Sequence, residues 1–129
     1  VLVGRKTYEE YIDDFRAKKD TQIFVVTNRS GDEDKPSVKY IHGSADEILS
    51  TIERNGFSKV IVCGGGEFNG LPASAGRIDE IIISIQHVIL GEGISLFGSF
   101  KPILNLELVS SNEDIKGVTQ NRYKVSNEK

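Results

Sequence analysis

At 129 residues, 38% hydrophobic and 27% charged, the chain has the size and composition of one soluble globular domain able to bury a core. Its net charge of −3 argues against nucleic acid or an anionic membrane as partner, since phosphate backbones attract basic surfaces; a small anionic ligand, which needs only a few local cations and N–H groups, stays open. No run of about 18 apolar residues is present to span a membrane, and the lone Cys63, with nothing to pair with internally, fits a reducing, cytoplasmic compartment without a leader.

The chain opens on "VLVG" (1–4), an apolar run ending in glycine that reads as a buried strand already under way. Thr7 and Glu10 carry the S/T-x-x-E spacing of a capping box, and Tyr8, Tyr11, Ile12 and Phe15 recur at i, i+3, i+4 and i+7. This spacing predicts a helix over Tyr8–Lys18, with Lys18 and Lys19 where cations suit the helix dipole. "TQIFVVTN" (21–28), rich in β-branched and aromatic residues, predicts a strand, and the polar "RSGDEDKPS" (29–37) a loop. "VKYI" (38–41) is a short strand. Ser44 and Glu47 repeat the capping-box spacing ahead of Ile48, Leu49 and Ile52, which predicts a helix to about Asn55 closed by Gly56.

"KVIVC" (59–63) is another continuously apolar strand, in which Cys63 reads as a buried structural thiol. Three glycines follow, then a short helical turn over Glu67–Ala75. "IDEIIISIQHVIL" (78–90) predicts a long strand that "GEG" (91–93) breaks. Alternation at Leu106–Val109 and over Val118–Val125 predicts a hairpin turning near Lys116 and Gly117. Strands alternating with helices argue a single α/β domain over 1–129: a mixed, mainly parallel sheet with antiparallel C-terminal strands at one edge.

In a parallel sheet, ligands bind beyond the carboxyl ends of the strands. Three polar or glycine-rich stretches fall at such ends. "GRKT" (4–7) opens a helix, where free N–H groups, Arg5, Lys6 and the Thr7 hydroxyl suit a phosphate; alone, it is more often a capped helix with two solvated cations. "TNRS" (27–30) offers hydroxyls, an amide and a guanidinium that fit a monophosphate ester, although such a stretch is more often an ordinary loop. "GGGEF" (64–68) removes side chains where strand meets helix and lets something approach the backbone. It is neither a P-loop nor a full G-x-G-x-x-G. His42 and His87 lie far apart, and no His/Cys/Asp/Glu set has metal-ligand spacing, so no metal is expected. Asp79 and Glu80 read as solvated or capping strand-start residues, and Ser84 as a buried mid-strand hydroxyl bonded to backbone.

As an ordered set, "VLVGRKTYEEY", "FVVTNRS", "KVIVCGGGEFNG", "AGRIDEIIISIQHVILGEGISLF" and the β-rich tail resemble the dihydrofolate reductase-like superfamily. They are most similar to its riboflavin biosynthesis reductase branch (RibD C-terminal domain), and the resemblance covers nearly the whole chain. It implies a three-layer α/β/α fold and an NADPH-dependent reductase of a small heterocyclic substrate. The named cases are the ribose-to-ribityl reduction of a ribosylaminopyrimidine and a dihydrofolate reductase-like reaction. It implies that Gly4, Arg5, Lys6 and Thr7 meet the cofactor's phosphates, and that Thr27, Asn28 and Arg29 meet the adenosine 2′-phosphate. Gly64, Gly65, Gly66, Glu67 and Phe68 would let the pyrophosphate and nicotinamide side lie against the backbone. Gly91, Gly93, Leu96 and Phe97 match the riboflavin-type branch, with His87 where relatives commonly carry a proline. Ser84 falls near the strand position that faces substrate in relatives. Relatives are often dimers, and strand 81–85 is the candidate shared element.

The family's N-terminal strand, substrate loop and first helix have no counterpart here. That strand normally lies mid-sheet beside 59–63, and leaving its place empty strands backbone groups without partners. The expectation is that the protein carries this segment outside the sequence at hand, that much of the substrate pocket comes from it, and that no catalytic acid can be named. Two other readings compete: a non-catalytic dinucleotide-binding module on the same fold, and a flavodoxin-like or other phosphate-binding α/β domain.

Overall fold

Three short apolar strands, β1 (Leu2–Gly4), β2 (Ile23–Val26) and β3 (Val38–Ile41), pair in parallel in the order β1-β2-β3. The structure is a computed structural model and describes residues 1–14, 21–28, 31, 34–101 and 103–126. Both faces of this sheet are covered, which explains why its strands are apolar without alternation. On one face Val3, Ile23, Val25 and Val38 form a cluster with Tyr8 of helix α1 (Arg5–Glu10). On the other, Leu2 and Phe24 pack with Ile48 and Ile52 of helix α2 (Ala45–Arg54), and Phe57, Val60, Val62 and Phe68 close over them. These three layers are the core of the molecule.

The two capping boxes have opposite outcomes. Ser44 caps α2, its Oγ accepting from the Glu47 amide at 3.2 Å, and Gly56 leaves the helix at φ +91°. Thr7 caps nothing. The N-cap of α1 is Gly4, the helix lasts six residues, and a 3-10 turn at Ile12–Asp14 follows. The helix expected over Tyr8–Lys18 is therefore displaced toward the N-terminus. Tyr11 already leaves helical geometry, so Tyr11 and Ile12 are exposed while Tyr8 is buried. Phe15, Lys18 and Lys19 lie outside the described residues.

The apolar segment 59–63 runs parallel to β1. Leu2 N donates to Ile61 O at 2.8 Å, Cys63 N to Leu2 O at 2.9 Å, and Gly4 N to Gly64 O at 2.8 Å. It makes only an isolated bridge rather than a strand, because among the described residues no ladder forms on its outer edge. Ile61 is exposed for the same reason, and so is Cys63, contrary to the buried thiol expected.

After helix α3 (Gly66–Ser74) the chain builds a second, antiparallel sheet in the order β4-β6-β5, from β4 (Glu80–Gln86), β5 (Asn105–Ile115) and β6 (Val118–Ser126). The expected α/β architecture with antiparallel C-terminal strands is present, and among the described residues its parallel and antiparallel parts are two three-stranded sheets. The strand expected over 78–90 stops at Gln86, and Val88, Ile89 and Leu90 beyond it are exposed. The hairpin turns at Lys116 and Gly117 as expected, Gly117 at φ +83°, and its arms outrun the predicted ones. Every residue of β5 is exposed. Among the described residues, no helix is long and apolar enough to cross a membrane.

Candidate functional site

The parallel order places the carboxyl ends of 61–64, β1, β2 and β3 side by side. Gly4 is the register partner of Val26, and Val26 of Ile41, so Gly4, Val26 and Ile41 end one row and Arg5, Thr27 and His42 follow one residue beyond it. Gly64 joins that row through its carbonyl bond to Gly4 N. The backbone thereby brings "GRKT", the start of "TNRS" and "GGGEF" to one end of one sheet.

The contacts there are close. A Cβ on Gly4 would stand 3.3 Å from Phe68 Cβ and 3.4 Å from Gly64 O. The Thr7 Oγ1 lies 2.9 Å from where Gly65 would carry a Cβ, so the hydroxyl rests on the glycine stretch. Gly64 takes φ +102°, a conformation that suits glycine, and the Gly64–Gly65 peptide is cis. Helices α1 and α3 both start at glycines, Gly4 and Gly65, with no side-chain cap on either. The first-turn amides of a helix lack intrahelical partners and carry the positive end of its dipole. Two such helix starts meet here, whereas α2 satisfies its own with Ser44.

Among the side chains, Arg5 is paired with Glu9 at 3.1 Å and Lys6 is exposed. Thr27 is buried with its amide bonded to Ile41 O at 3.0 Å, and Asn28 is exposed. Arg29 lies outside the described residues. Phe68 packs its ring into the core. Ser84 is not brought to this end by strand pairing. It sits in the antiparallel sheet opposite Gln120 and is exposed, contrary to the buried hydroxyl expected, because that sheet face is left uncovered among the described residues.

Glu67 has an engagement the sequence did not suggest. Its Oε1 accepts from the Ser99 amide at 2.7 Å and its Oε2 from the Ser99 hydroxyl at 2.8 Å. Gly66 is glycine because a Cβ there would come within 2.6 Å of Ser95 O. Of the glycines after β4, Gly91 and Gly93 meet nothing within 4 Å, while Gly98, at φ +61°, packs against Glu67. The available signal was "LFGSF" (96–100): a glycine and a serine between aromatics, beyond the "GEG" that draws the eye. A concavity of about 200 Å³ lined by Val1, Gln22, Phe24, Ile52, Phe57 and Val60 lies at the opposite, amino ends of the strands and is no part of this constellation.

The Cys63 thiol, next to the glycines, is pushed up from its ordinary pKa by loss of hydration where the chain folds around it, even though the residue as a whole is exposed. It is a poor nucleophile at neutral pH. No cluster of His, Cys, Asp or Glu able to hold a metal occurs among the described residues.

The model of the RibD C-terminal domain matches residues 3–120. The chain belongs to the RibD C-terminal domain family. An uncharacterized protein of Bacillus subtilis (strain 168), YyaP, is 27% identical over 135 residues, spanning 95% of this chain and 72% of that protein. Among solved structures, a protein from Shewanella sp. PV-4 provisionally assigned to riboflavin biosynthesis superposes with a TM-score of 0.80 at 22% identity, covering 97% of this chain and 72% of that one. The Thermotoga maritima diaminohydroxyphosphoribosylaminopyrimidine deaminase/5-amino-6-(5-phosphoribosylamino)uracil reductase gives 0.72 at 14% identity, over 97% of this chain and 44% of that one. Dihydrofolate reductase from Enterococcus faecalis, complexed with NADP(H), gives 0.68 at 20% identity, over 98% and 73%. These likenesses show that the RibD C-terminal domain described here has the dihydrofolate reductase-like fold.

Proposed function

We propose that this RibD C-terminal domain is the cofactor-binding body of an NADPH-dependent reductase acting on a small heterocyclic substrate. The carrying observation is the meeting of two uncapped helix starts, α1 at Gly4 and α3 at Gly65, at the carboxyl end of a parallel sheet. Open amides, a hydroxyl and a free lysine are the donor set that a pyrophosphate needs. The first-turn amides of α1 and α3 hold the diphosphate, the Thr7 hydroxyl adds a donor, and Lys6 adds charge. Asn28 and Arg29, just beyond β2, take the adenosine 2′-phosphate. Gly64 and Gly65 keep side chains out of the path of the dinucleotide. Reduced nicotinamide, when bound, supplies a hydride to a carbonyl or imine carbon, and the chain's part is to bind and orient it. The reductase named for the Thermotoga protein and the NADP(H) bound to the Enterococcus enzyme support this choice of chemistry. A ribosylaminopyrimidine, reduced from ribose to ribityl, is the first substrate to try, and a dihydropteridine the second.

The test is the fall of NADPH absorbance on oxidation with each substrate, beside titration of Arg29→Ala with NADPH and with NADH. The reading expects oxidation with one substrate and a loss of affinity confined to NADPH. Equal losses for both cofactors would remove Arg29 from the 2′-phosphate. One observation favours the non-catalytic module instead: Glu67, the carboxylate inside the glycine stretch, has both oxygens engaged by Ser99. Tight NADPH binding with no oxidation of either substrate would select that reading.

A homodimer is part of the proposal. Ile89 and Ile94 are almost wholly exposed and Val88 and Leu90 lie beside them. A run of apolar surface of this kind supports a second copy as partner. Light scattering should return twice the chain mass, and a monomer at every concentration would refute it.

A further inference from the structure

The segment 95–100 is folded on itself and seated on one face of α3. Gly98 N donates to Ser95 O at 3.2 Å and Phe100 N to Phe97 O at 3.1 Å, making two successive turns. Four residues of α3 receive them. Glu67 binds Ser99 through both oxygens. Asn69 Nδ2 donates to Leu96 O at 3.2 Å. Gly66 and Gly70 leave room for Ser95 O and the Phe100 ring, which a Cβ would meet at 2.6 and 2.3 Å. Positions 66, 67, 69 and 70 share one side of a helix. Phe68 points elsewhere, into the core against Leu2 and Phe24.

The first turn of α3 is thus gripped on two sides, by the core through Phe68 and by the 95–100 turns through Glu67. Its axial end, where the amides open, carries no side-chain cap. A carboxylate in the first turn of a helix that binds an anion would oppose the ligand if it were free. Here its charge is directed at an amide and a hydroxyl, the short charge-assisted bonds expected of a fixed group. We infer that Glu67 is a positioning residue: by clamping Ser99 it seats the 95–100 turns against α3 and fixes the first-turn amides for the diphosphate. The inference rests on the dinucleotide reading above.

Glu67→Ala, Glu67→Gln and Ser99→Ala separate the possibilities. Each is measured by hydrogen exchange of the 95–100 amides and by fluorescence titration with NADPH, with a thermal melt to check the fold. A glutamine amide can accept from the Ser99 N–H and donate to the Ser99 oxygen, so it preserves both bonds without the charge. Glu67→Ala should speed exchange across 95–100 and weaken NADPH about tenfold, the size of a lost charged hydrogen bond. Glu67→Gln should keep the turns protected and bind NADPH as tightly as wild type or tighter. Ser99→Ala, which keeps the amide bond, should fall between. The inference is overturned if Glu67→Ala leaves exchange in 95–100 unchanged, or speeds it without weakening NADPH. It is also overturned if Glu67→Gln loses affinity with the turns still protected, since the charge itself would then be acting. Wild-type protein that binds no NADPH overturns the dinucleotide reading and the inference with it; wild type that binds while Glu67→Ala binds equally overturns the inference alone.

Discussion

Replacing Gly70 with alanine puts a methyl group where Phe100 already stands. The added Cβ would lie 2.3 Å from ring carbon Cδ2 and 2.8 Å from Phe100 Cβ, so turning the ring brings no relief. In an open helix the same change stabilises by about 0.5–1 kcal/mol. Overpacking of this kind costs about 1–3 kcal/mol, so Gly70→Ala should lower the urea midpoint, and a raised midpoint would show that the contact yields. Cys63 gives a second test at this scale. Its raised pKa leaves less thiolate at pH 8 than an unperturbed thiol has, so iodoacetamide should alkylate it more slowly than free cysteine; an equal or faster rate would refute the shift. For stability the sign is fixed: the folded thiol ionises later than the unfolded one, so its contribution is intact below the unfolded pKa and is lost as pH rises beyond it. The triple glycine was legible in the sequence as a place of close approach. What approaches Gly66 was not, because Ser95 comes from 29 residues further along, across no local pattern.

Helix α2 shows when local spacing suffices. Ser44 and Glu47 are three residues apart, their bond closes within one turn, and no other element competes for it. Ser44→Ala should therefore cost about 1 kcal/mol in chemical denaturation, the usual value of an N-cap, and a null result would mean that the Ser44 bond is replaced by water. Thr7 and Glu10 have the same spacing and fail because a distant partner decides the start of α1. Gly4 N is held by Gly64 O, which fixes the chain direction at Gly4 and makes it the cap three residues early. The Thr7 hydroxyl then falls over Gly65, within the glycine stretch, instead of on its own helix start. Segment 59–63 fails in another way. Its composition is right for a buried strand, and the side toward β1 pairs as expected. Strand character also depends on the second neighbour, which no residue within the segment can announce.

At the scale of the molecule the two sheets are unequally invested. The parallel sheet holds the fully buried residues Val3, Ile23, Phe24 and Val25. Phe24, which meets Phe57 edge to face, should cost about 3–5 kcal/mol as alanine, enough to unfold a large share of the protein; a loss under 1 kcal/mol would mean that the core lies elsewhere. The family's order of motifs was legible in the sequence because it depends on the succession of elements. The division into two sheets was not, because it depends on which edges find partners. That division has a consequence for handling the protein. Among the described residues β4 ends the order β4-β6-β5, and Ile81, Ile82, Ile83 and Ile85 make its outer edge a short apolar template for a neighbouring chain. Turbidity on warming should therefore rise steeply with concentration. Ile82→Lys, at an exposed position on β4, should suppress it by acting as a gatekeeper without touching the core, so that one charge on an edge strand outweighs the chain's overall charge in keeping copies apart.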